Sequence, residues 1–450
     1  MKKNMQTIVS LICIATMTSI SLTGCGTAND KTELENAEED KQQTTDVLEE
    51  DDGAFQPSLD TEKSVTLDIA GFMANFESLD QVINDFNEYY PNVQINYEQN
   101  SLQGLAEYVQ NSQYVDIFMT NDASISSKDW ADGYVMDECL DLSKENLNTD
   151  AVDPELLKAC TVDGKLARIP LAKTMCGMVV NKTLLENEGL QVPQTYEEFL
   201  NVCEALKEKG YTPIQSARNH AYSDMILPMA MSIIGNDKDL VAKVNAEDTS
   251  YADNLSVVYE RLAEIIDKGY TSLEVNETYP DDNYDGAILS FFEGDVPFWI
   301  TNTESFSGMK KRESKSEAFS ANPFEYEFVD VPLGDNGVYD YEEPWYGFSV
   351  YKDSEEKDYA IEFLNFLCRE EELNKFAEIK GMPSVAVNNS DDRFENALNP
   401  AMLQDRYVVN GEMKNSITSV ICDAANKFGN GNLADANAAV EFVKNGGAEE

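Results

Sequence analysis

The stretch VTLDIAGFMANFESLDQVINDFNEYYPNVQINY, residues 65–97, sets the fold class predicted for this chain. Residues 65–69 alternate between apolar and polar, as in a half-buried strand. Apolar side chains then recur at helical spacing over residues 79–90, and a second alternating strand follows at residues 93–97. The stretch therefore predicts a β-α-β unit.

Strands and helices continue to alternate beyond this unit. Further buried-strand candidates lie at residues 115–119 and 177–180. Two helix starts have the spacing of a capping box, namely Ser78 with Gln81 and Thr195 with Glu198. Such alternation predicts parallel-rich α/β sheets, in which ligands bind beyond the carboxyl ends of the strands. The loops that follow strands are therefore the places to look for a binding site.

Composition and charge exclude several classes of function. The chain has 450 residues, of which 42% are hydrophobic, and 33 Lys plus Arg stand against 83 Asp plus Glu. A hydrophobic fraction of this size predicts a globular body, and the length allows two or more domains. A net charge of -50 repels phosphate backbones and anionic lipid headgroups, so neither nucleic-acid binding nor membrane binding through a basic patch is expected.

The first twenty-five residues have the pattern of a bacterial lipoprotein leader. Lys2 and Lys3 precede an uncharged, largely apolar run at residues 8–22, which is short for a membrane-spanning helix. The run ends in LTGCG, residues 22–26, which resembles the lipobox, where the cysteine receives diacylglycerol. We expect residues 1–24 to be a signal peptide and lipidated Cys25 to tether the protein to the outer face of the cell membrane. Ordinary cleavage near Gly24 is the alternative.

An acidic segment follows the lipobox. Residues 26–62 contain thirteen acids and two lysines and show almost no core-forming periodicity. Self-repulsion extends such a chain and keeps it from packing. We therefore expect residues 25–62 to be an acidic disordered linker between Cys25 and the folded body.

Cysteine spacing predicts free thiols. Without the leader and Cys25, the chain keeps six scattered cysteines, Cys139, Cys160, Cys176, Cys203, Cys368 and Cys422. There is no CxxC pair or other metal-ligand spacing among them. Because a chain of this size needs no covalent staples, buried free thiols are expected rather than a disulfide framework.

Neither a metal nor a cofactor is expected. His220 is the single histidine, which removes most histidine-dependent triads and multi-histidine zinc sites. Asp281, Asn283 and Asp285 match the first half of a calcium loop, but Phe292 stands where a bidentate glutamate is needed, so helix capping is the simpler interpretation. The sequence also lacks a Walker motif, so ATP hydrolysis by a P-loop is not expected of this chain.

A series of short motifs, in order, resembles the family of bacterial extracellular solute-binding proteins that includes maltose-binding protein. The motifs are DGKL at 163–166, IPL at 169–171, GMVVNK at 177–182, TYEEF at 195–199 and LKEKGYTP at 206–213, followed by blocks at 287–300, 328–350 and 354–383. Val180 and Tyr196 replace the family's usual Tyr and Trp, which are changes of packing rather than of binding. The likeness covers nearly the whole folded body.

The resemblance implies a periplasmic-binding-protein-like α/β fold of two lobes with a ligand cleft between them. Lobe I would comprise residues 63–172 plus 300–368, and lobe II residues 173–299 plus 369–450. The implied function is that of a monomeric binding protein, not an enzyme, that captures a sugar or oligosaccharide by hinge closure and delivers it to the permease of an ABC importer. The same fold could instead bind a peptide, a polyamine or a metal complex, and a glycosidase using a pair of carboxylates is a further alternative.

Ten residues at strand ends and crossings are the candidate ligand contacts. Amides and carboxylates bind sugar hydroxyls, while aromatic rings pack on the C–H face of a pyranose. The candidates are Phe72, Asn75, Asn121, Asp122, Lys173, Thr174, Asn302, Glu304, Trp345 and Tyr346. For each polar residue, loop capping or solvation is the competing interpretation. Trp299 is expected in the core, and Trp130 fits either role.

Overall fold

The computed structural model describes residues 54–74, 76–111, 115–126, 133–217, 221–276, 284–389, 392–413 and 416–448. Several of the positions discussed above therefore lie outside the described residues. They are the leader, Cys25, the acidic linker up to residue 53, Asn75, Trp130, His220, Asp281 and Asn283.

Short strands separated by helices follow one another along the described chain. The strands are β1 Val65–Gly71, β2 Val93–Gln99, β3 Ile117–Thr120, β4 Thr161–Val162, β5 Lys165–Leu166, β6 Ile169–Pro170, β7 Lys173–Asn181, β8 Ile214–Gln215, β9 Phe298–Asn302, β10 Tyr326–Val329, β11 Val338–Pro344, β12 Gly347–Val350 and β13 Leu403–Val408. The predicted β-α-β opening is confirmed, since β1 and β2 pair in parallel across helix Glu77–Tyr89.

The helices are mostly short and amphipathic. They are α1 Glu77–Tyr89, α2 Leu102–Asn111, α3 Asp122–Ser126, α4 Pro154–Ala159, α5 Lys182–Asn187, α6 Tyr196–Glu208, α7 Ser223–Gly235, α8 Lys238–Asn245, α9 Ser256–Asp267, α10 Leu273–Asn276, α11 Tyr284–Phe291, α12 Thr303–Ser307, α13 Met309–Glu313, α14 Glu317–Ala321, α15 Lys357–Leu367, α16 Glu370–Lys380, α17 Ser416–Gly429 and α18 Ala436–Lys444. Short 3-10 turns lie at Met136–Glu138, Leu142–Lys144, Thr249–Leu255 and Asp392–Phe394.

Only one of the two predicted capping boxes caps a helix. Thr195 precedes α6 and accepts the backbone N–H of Glu198 at 3.3 Å, while the Glu198 carboxylate accepts the N–H of Gln194 at 2.9 Å. In α1 the helix begins earlier than the motif implies, and its N-cap residue, Phe76, makes no side-chain capping bond. Ser78 is therefore a buried residue inside the first turn, and the box predicted there is wrong.

Two sheets with separate cores form the two lobes. The first sheet has the order β2-β1-β3-β12-β6, and the second has β13-β11-β7-β9-β8, with β10 also pairing with β7. The first core joins side chains such as Val82, Phe118 and Phe363, whereas Phe199 and Tyr259 belong to the second. This arrangement is the two-lobed α/β fold expected from the sequence.

The strand pairing divides the chain at different residues from the predicted boundaries. Residues 300–344, expected in lobe I, belong to lobe II, because β9, β10 and β11 pair with β7 of the second sheet. Residues 369–386, expected in lobe II, belong to lobe I, because α16 packs beside α1 and contributes Leu373 and Phe376 to the first core. Strand β9 is consequently not a crossing between the lobes.

The end of the acidic segment packs on lobe I, contrary to the expectation of an unpacked linker up to residue 62. The Phe55 ring lies 5.3 Å from Tyr89 and 5.1 Å from Phe366, measured between centroids. Ser58 donates from both its backbone N–H and its hydroxyl to the buried Glu362 carboxylate, each at 2.7 Å. An apolar anchor and a buried acceptor thus fix residues 55–62, called the strap below, to α1 and α15.

Two further sequence predictions are confirmed. The six cysteines are free, and all but Cys422 are buried. Trp299 is a core residue of lobe II, 2% exposed. Within the described residues, every helix is too short or too polar to cross a bilayer.

Candidate functional site

The chain crosses between the lobes at residues 171–173, 344–346 and 383–387, and these crossings are hydrogen-bonded side by side. Trp345 N donates to Ala172 O at 2.9 Å, and Lys173 N donates to Pro383 O at 3.1 Å. Three short crossings of this kind form a hinge, because small changes in φ and ψ at a few residues rotate one lobe against the other. A ligand bound beside the hinge can therefore contact side chains of both lobes.

On the lobe I side, aromatic and amide groups meet at the end of the first sheet. Phe72 follows β1, and its partly exposed ring lies 4.4 Å from the Tyr346 ring at an interplanar angle of 66°. Asn121 follows β3 and is fixed by Ser124, whose N–H donates to its side-chain oxygen at 2.9 Å. Burial and the nearby Glu304 carboxylate raise the pKa of Tyr346, and a hydrogen bond from the Asn121 side chain lowers it. Four predicted site residues therefore lie together.

On the lobe II side, Asn302 and Glu304 occupy the start of α12. The Asn302 side chain caps this helix by accepting Ser305 N–H at 3.1 Å, and its Nδ2 lies 3.5 Å from Asp224 Oδ2. Glu304 is exposed in the first turn of the helix. Capping therefore accounts for the Asn302 oxygen, while its amide nitrogen faces the carboxylate of α7.

Asp122 faces lobe II across a cavity of about 130 Å³. The opposite wall includes Tyr341, Glu343 and Met413. Burial raises the pKa of the Glu343 carboxyl to about 7, the Asp122 and Asp224 carboxylates act in the same direction, and a hydrogen bond from the Tyr341 hydroxyl at 2.8 Å partly offsets them. The cleft thus combines three carboxyl groups contributed by both lobes.

Asp224 and Glu343 were missed by the sequence analysis. Asp224 lies in the first turn of α7, and Glu343 lies near the end of β11. Neither residue follows the end of a strand, which is the position from which the candidate contacts were chosen. Glu343 could have been found from its position, because it lies two residues before Trp345, which was one of the candidate contacts.

Trp345 is buried, with 4% of its surface exposed, and does not offer an open ring face. The Lys380 Nζ lies over the ring, 4.8 Å from its centroid, which is within cation–π distance. The indole Nε1 has no hydrogen-bond partner among the described residues. The aromatic surfaces that are open in the cleft belong to Phe72 and Tyr346 instead.

Lys173 and Thr174 are buried, and Lys173 is held in an ion pair rather than turned toward the cleft. Its Nζ lies 2.8 Å from Glu342 Oε1, and Arg406 binds the other Glu342 oxygen at 2.5 Å. Burial alone would raise the Glu342 pKa, but the two cations outweigh it and lower the pKa to about 2. Arg406 also lies 3.4 Å from Asp153 of lobe I. Lys173 therefore stabilises the base of the hinge.

Arg168 joins the hinge to the first sheet. Its side chain is fully buried, and its Nη1 donates to Thr120 O at 3.1 Å and to Trp345 O at 3.2 Å. The Nε and Nη2 atoms have no acceptor within the described part of the chain. The guanidinium fixes the end of β3 relative to the crossing, so it positions Tyr346 indirectly.

Within the described residues, no group of three or more His, Cys, Asp or Glu side chains is arranged to hold a metal ion. Asp285, part of the half calcium motif, accepts a hydrogen bond from Arg312 Nε at 2.8 Å and lies at the start of α11. Its carboxylate is therefore engaged by a guanidinium.

Several proteins of known structure share this architecture. RafE from Streptococcus pneumoniae superposes with a TM-score of 0.64 at 17% identity, over 88% of this chain and 100% of that one. MalE from Xanthomonas citri gives 0.64 at 14% identity over 84% and 95%. A sugar transporter protein from Bacillus licheniformis, in complex with stachyose, gives 0.58 at 16% identity over 84% and 98%. The two lobes, the hinge and these likenesses define the periplasmic-binding-protein class of fold.

The family is established by sequence. The model of the family described as bacterial extracellular solute-binding protein matches residues 71–372, and the chain belongs to that family. A multiple sugar-binding protein of Streptococcus mutans is 34% identical over 62 residues, which span 14% of this chain and 15% of that protein. The resemblance read from the motifs at 163–213 is thereby confirmed.

Proposed function

We propose that this protein binds a sugar or short oligosaccharide outside the cytoplasm and delivers it to the permease of an ABC importer, without making or breaking a bond. The observation that carries the proposal is the set of groups beside the hinge. The open rings of Phe72 and Tyr346 lie next to Asn121, while Asp122 and Glu343 face each other from opposite lobes.

Each kind of group has a part in binding a polyhydroxylated ligand. The aromatic rings pack on the apolar C–H face of a pyranose, which excludes water there. The carboxylates of Asp122 and Asp224 accept hydrogen bonds from hydroxyl groups, and the amides of Asn121 and Asn302 either donate or accept. Specificity follows because a buried carboxylate left without its hydroxyl partner is costly.

Closure supplies the signal to the transporter. Contacts to both Asp122 of lobe I and Glu343 of lobe II can be made by one ligand only when the lobes approach, so binding shifts the population toward the closed form. A closed form presents a different rim from the open form, and the permease distinguishes the two. Small-angle X-ray scattering should therefore show a smaller radius of gyration when the ligand is added.

The relatives support a sugar as the ligand. RafE is known in complex with raffinose, the Bacillus licheniformis protein was crystallised with stachyose, and the Streptococcus mutans relative is a multiple sugar-binding protein. The carboxyl-rich cleft would also attract a cationic ligand such as a polyamine. The test is isothermal titration of the protein with mono- and oligosaccharides, spermidine and short peptides.

Saturable binding of a sugar, with no binding of spermidine or peptide, is the expected result. If every sugar fails while another class binds, the carbohydrate proposal is wrong. Incubation with the sugar that binds, followed by chromatography, tests for an enzyme, and release of cleavage products would overturn the assignment as a binding protein.

We also propose that Cys25 carries a lipid anchor and that residues 1–24 are removed as a signal peptide. The support is the LTGCG sequence at residues 22–26, directly after an apolar run. Diacylglycerol provides two acyl chains, which suffice for stable attachment through burial of methylene groups. The anchor places the binding site on the outer face of the cell membrane, beside the permease.

Substitution Cys25→Ala should move the protein from the membrane fraction to the soluble fraction of the expressing bacterium and abolish labelling by radioactive palmitate. Cys13→Ala is the matched control, because it lies within the leader and should change neither readout. A Cys25→Ala protein that stays membrane-bound and labelled would contradict the anchor.

A further inference from the structure

A second depression, larger than the cleft cavity, lies beside it. This side groove has a volume of about 710 Å³ and is lined by residues of both lobes, among them Phe306, Phe319, Phe324, Tyr326, Ile379 and Asn396. Its lobe II wall is formed by α12 to α14 and β10, and its lobe I wall by the end of α16. A volume of this size is typical of small-molecule sites.

The lobe II wall is a cluster of aromatic rings that remain partly exposed. Phe319 and Phe324 meet edge to face at 5.0 Å between centroids, and Phe306 lies 6.2 Å from Tyr326. All four rings retain some solvent exposure. These partly exposed rings offer faces and edges on which the apolar surface of a ligand can pack.

Hydrogen-bonding groups of both kinds line the same groove. Asn396 Nδ2 donates to Glu327 Oε2 at 2.9 Å, and Lys182 forms an ion pair with the same oxygen at 3.3 Å. Lys310 lies 5.4 Å from the centroid of the Tyr326 ring. Aromatic faces combined with amide, carboxylate and ammonium groups match the surface of a sugar, which has C–H faces and a rim of hydroxyls.

The groove adjoins the hinge. Lys380 lines the groove, and its Nζ covers the Trp345 ring at the hinge. Helix α12 begins with Glu304 at the cleft and continues to Phe306 and Ser307, which line the groove. Opposite, Gly381 has a φ of 80° and approaches the Ser307 backbone so closely that an added Cβ would lie 3.4 Å from it.

We propose that the side groove binds the distal sugar units of an oligosaccharide whose first units occupy the cleft. This inference rests on the proposed function and extends it, because it states that the ligand is an oligosaccharide long enough to reach the groove. The cleft cavity of about 130 Å³ leaves little room beyond the first units, whereas the groove of about 710 Å³ reaches Lys380, which covers the Trp345 ring at the hinge. Affinity therefore increases with chain length, because each added unit gains a ring contact.

The test compares two substitutions of exposed aliphatic residues. Ile379→Trp places an indole at the groove, where Ile379 is 41% exposed, and Val257→Trp adds an indole on α9, where Val257 is 37% exposed and does not line the groove. Each protein is titrated with sucrose, raffinose and stachyose, and with the chitin oligosaccharides from disaccharide to hexasaccharide. Phe324→Leu, which removes a ring instead of adding one, is a second test.

Ile379→Trp and Phe324→Leu should weaken the longest binding member of a series by about tenfold or more and leave the shortest unchanged. Val257→Trp should resemble the unsubstituted protein throughout. If the groove substitutions leave all members unchanged, or weaken short and long members equally, this inference is wrong while the proposed function stands. If no member of either series binds the unsubstituted protein, the proposed function fails and the inference with it.

Discussion

Glu343 lies between the lobes with its carboxyl group near those of Asp122 and Asp224. Burial and two like charges act together, so this group changes its charge close to neutral pH while most carboxyl groups are fully ionised. A neutral Glu343 can donate a hydrogen bond to a ligand, and an ionised one can only accept. The charge of a single residue therefore bears on which hydroxyl pattern the cleft accepts.

Glu343→Gln should remove the pH dependence that this carboxyl group gives to the free energy of unfolding. The pKa in the folded protein, about 7, lies above the ordinary glutamate value of 4.5. The folded state therefore binds the proton more tightly, and its stabilising contribution, full below pH 4.5, is lost as the pH rises through about 7. Relative to the Gln variant, the unsubstituted protein should lose roughly 2–3 kcal/mol of unfolding free energy over that range.

Urea titration of both proteins at pH 4.5, 6 and 8 measures this difference. A companion variant, Tyr341→Phe, removes the hydroxyl that donates to Glu343, so its pH transition should move to higher pH. A difference between the unsubstituted protein and Glu343→Gln that stays constant with pH would contradict the prediction.

Helix starts show how far local sequence determines an element. Thr195 and Ser78 both begin a pattern with capping-box spacing, but only Thr195 has extended backbone and precedes its helix. Around Ser78, Leu79, Val82 and Phe86 are all buried, and packing of this face lets the helix begin at Glu77 without a side-chain cap. Spacing identifies a helix there, and tertiary packing sets its first residue.

Thr195→Ala should lower stability by about 1 kcal/mol, because the N–H of Glu198 loses its acceptor at the start of α6. For a lobe of this size the melting temperature should fall by about 2–4 °C. Ser78→Ala is the matched control, with no capping bond to lose, and should change melting by a smaller amount. Equal shifts in the two variants, measured by differential scanning calorimetry, would show that the Thr195 cap contributes nothing of its own.

On the scale of the whole molecule, the sequence revealed the kind of fold but not where its lobes divide. Local periodicity predicts the β-α-β start and the alternation of strands with helices. Residues 300–344 belong to lobe II because β9, β10 and β11 pair with β7. These strands lie more than a hundred residues from β7 in the sequence, so local periodicity does not predict the pairing. The same distinction between local and long-range features applies to the residues of the candidate site.

Strand-end residues such as Phe72 and Asn121 could be selected from the sequence because the end of a strand is a local feature, and the structure places both beside Tyr346. Asp224 was missed because a helix brings it to the cleft from the other lobe. Lys173 was selected for its position at a crossing, but its buried partner Glu342 lies 169 residues away and could not be read from the sequence. Long-range pairing thus limits both the lobe boundaries and the site.

Glu362→Leu should release the strap. The Glu362 carboxylate accepts hydrogen bonds from Ser58 N–H, the Ser58 hydroxyl and the Tyr90 hydroxyl, and leucine removes the acceptor of all three. The loss should be about 1.5–3 kcal/mol, with faster proteolysis within residues 55–62. Glu356→Gln is the control, since its ion pair with Lys63 is largely exposed and worth at most about 1 kcal/mol. Equal cleavage rates in both variants would contradict this role of Glu362.

The position of the strap decides where a mechanical pull enters the protein. Phe55 and Ser58 contact α1, α15 and Arg369, all of which belong to lobe I. A pull on the chain ahead of the strap would therefore enter the protein through lobe I. Lobe II takes no part in these contacts, so its rotation about the hinge leaves the strap in place.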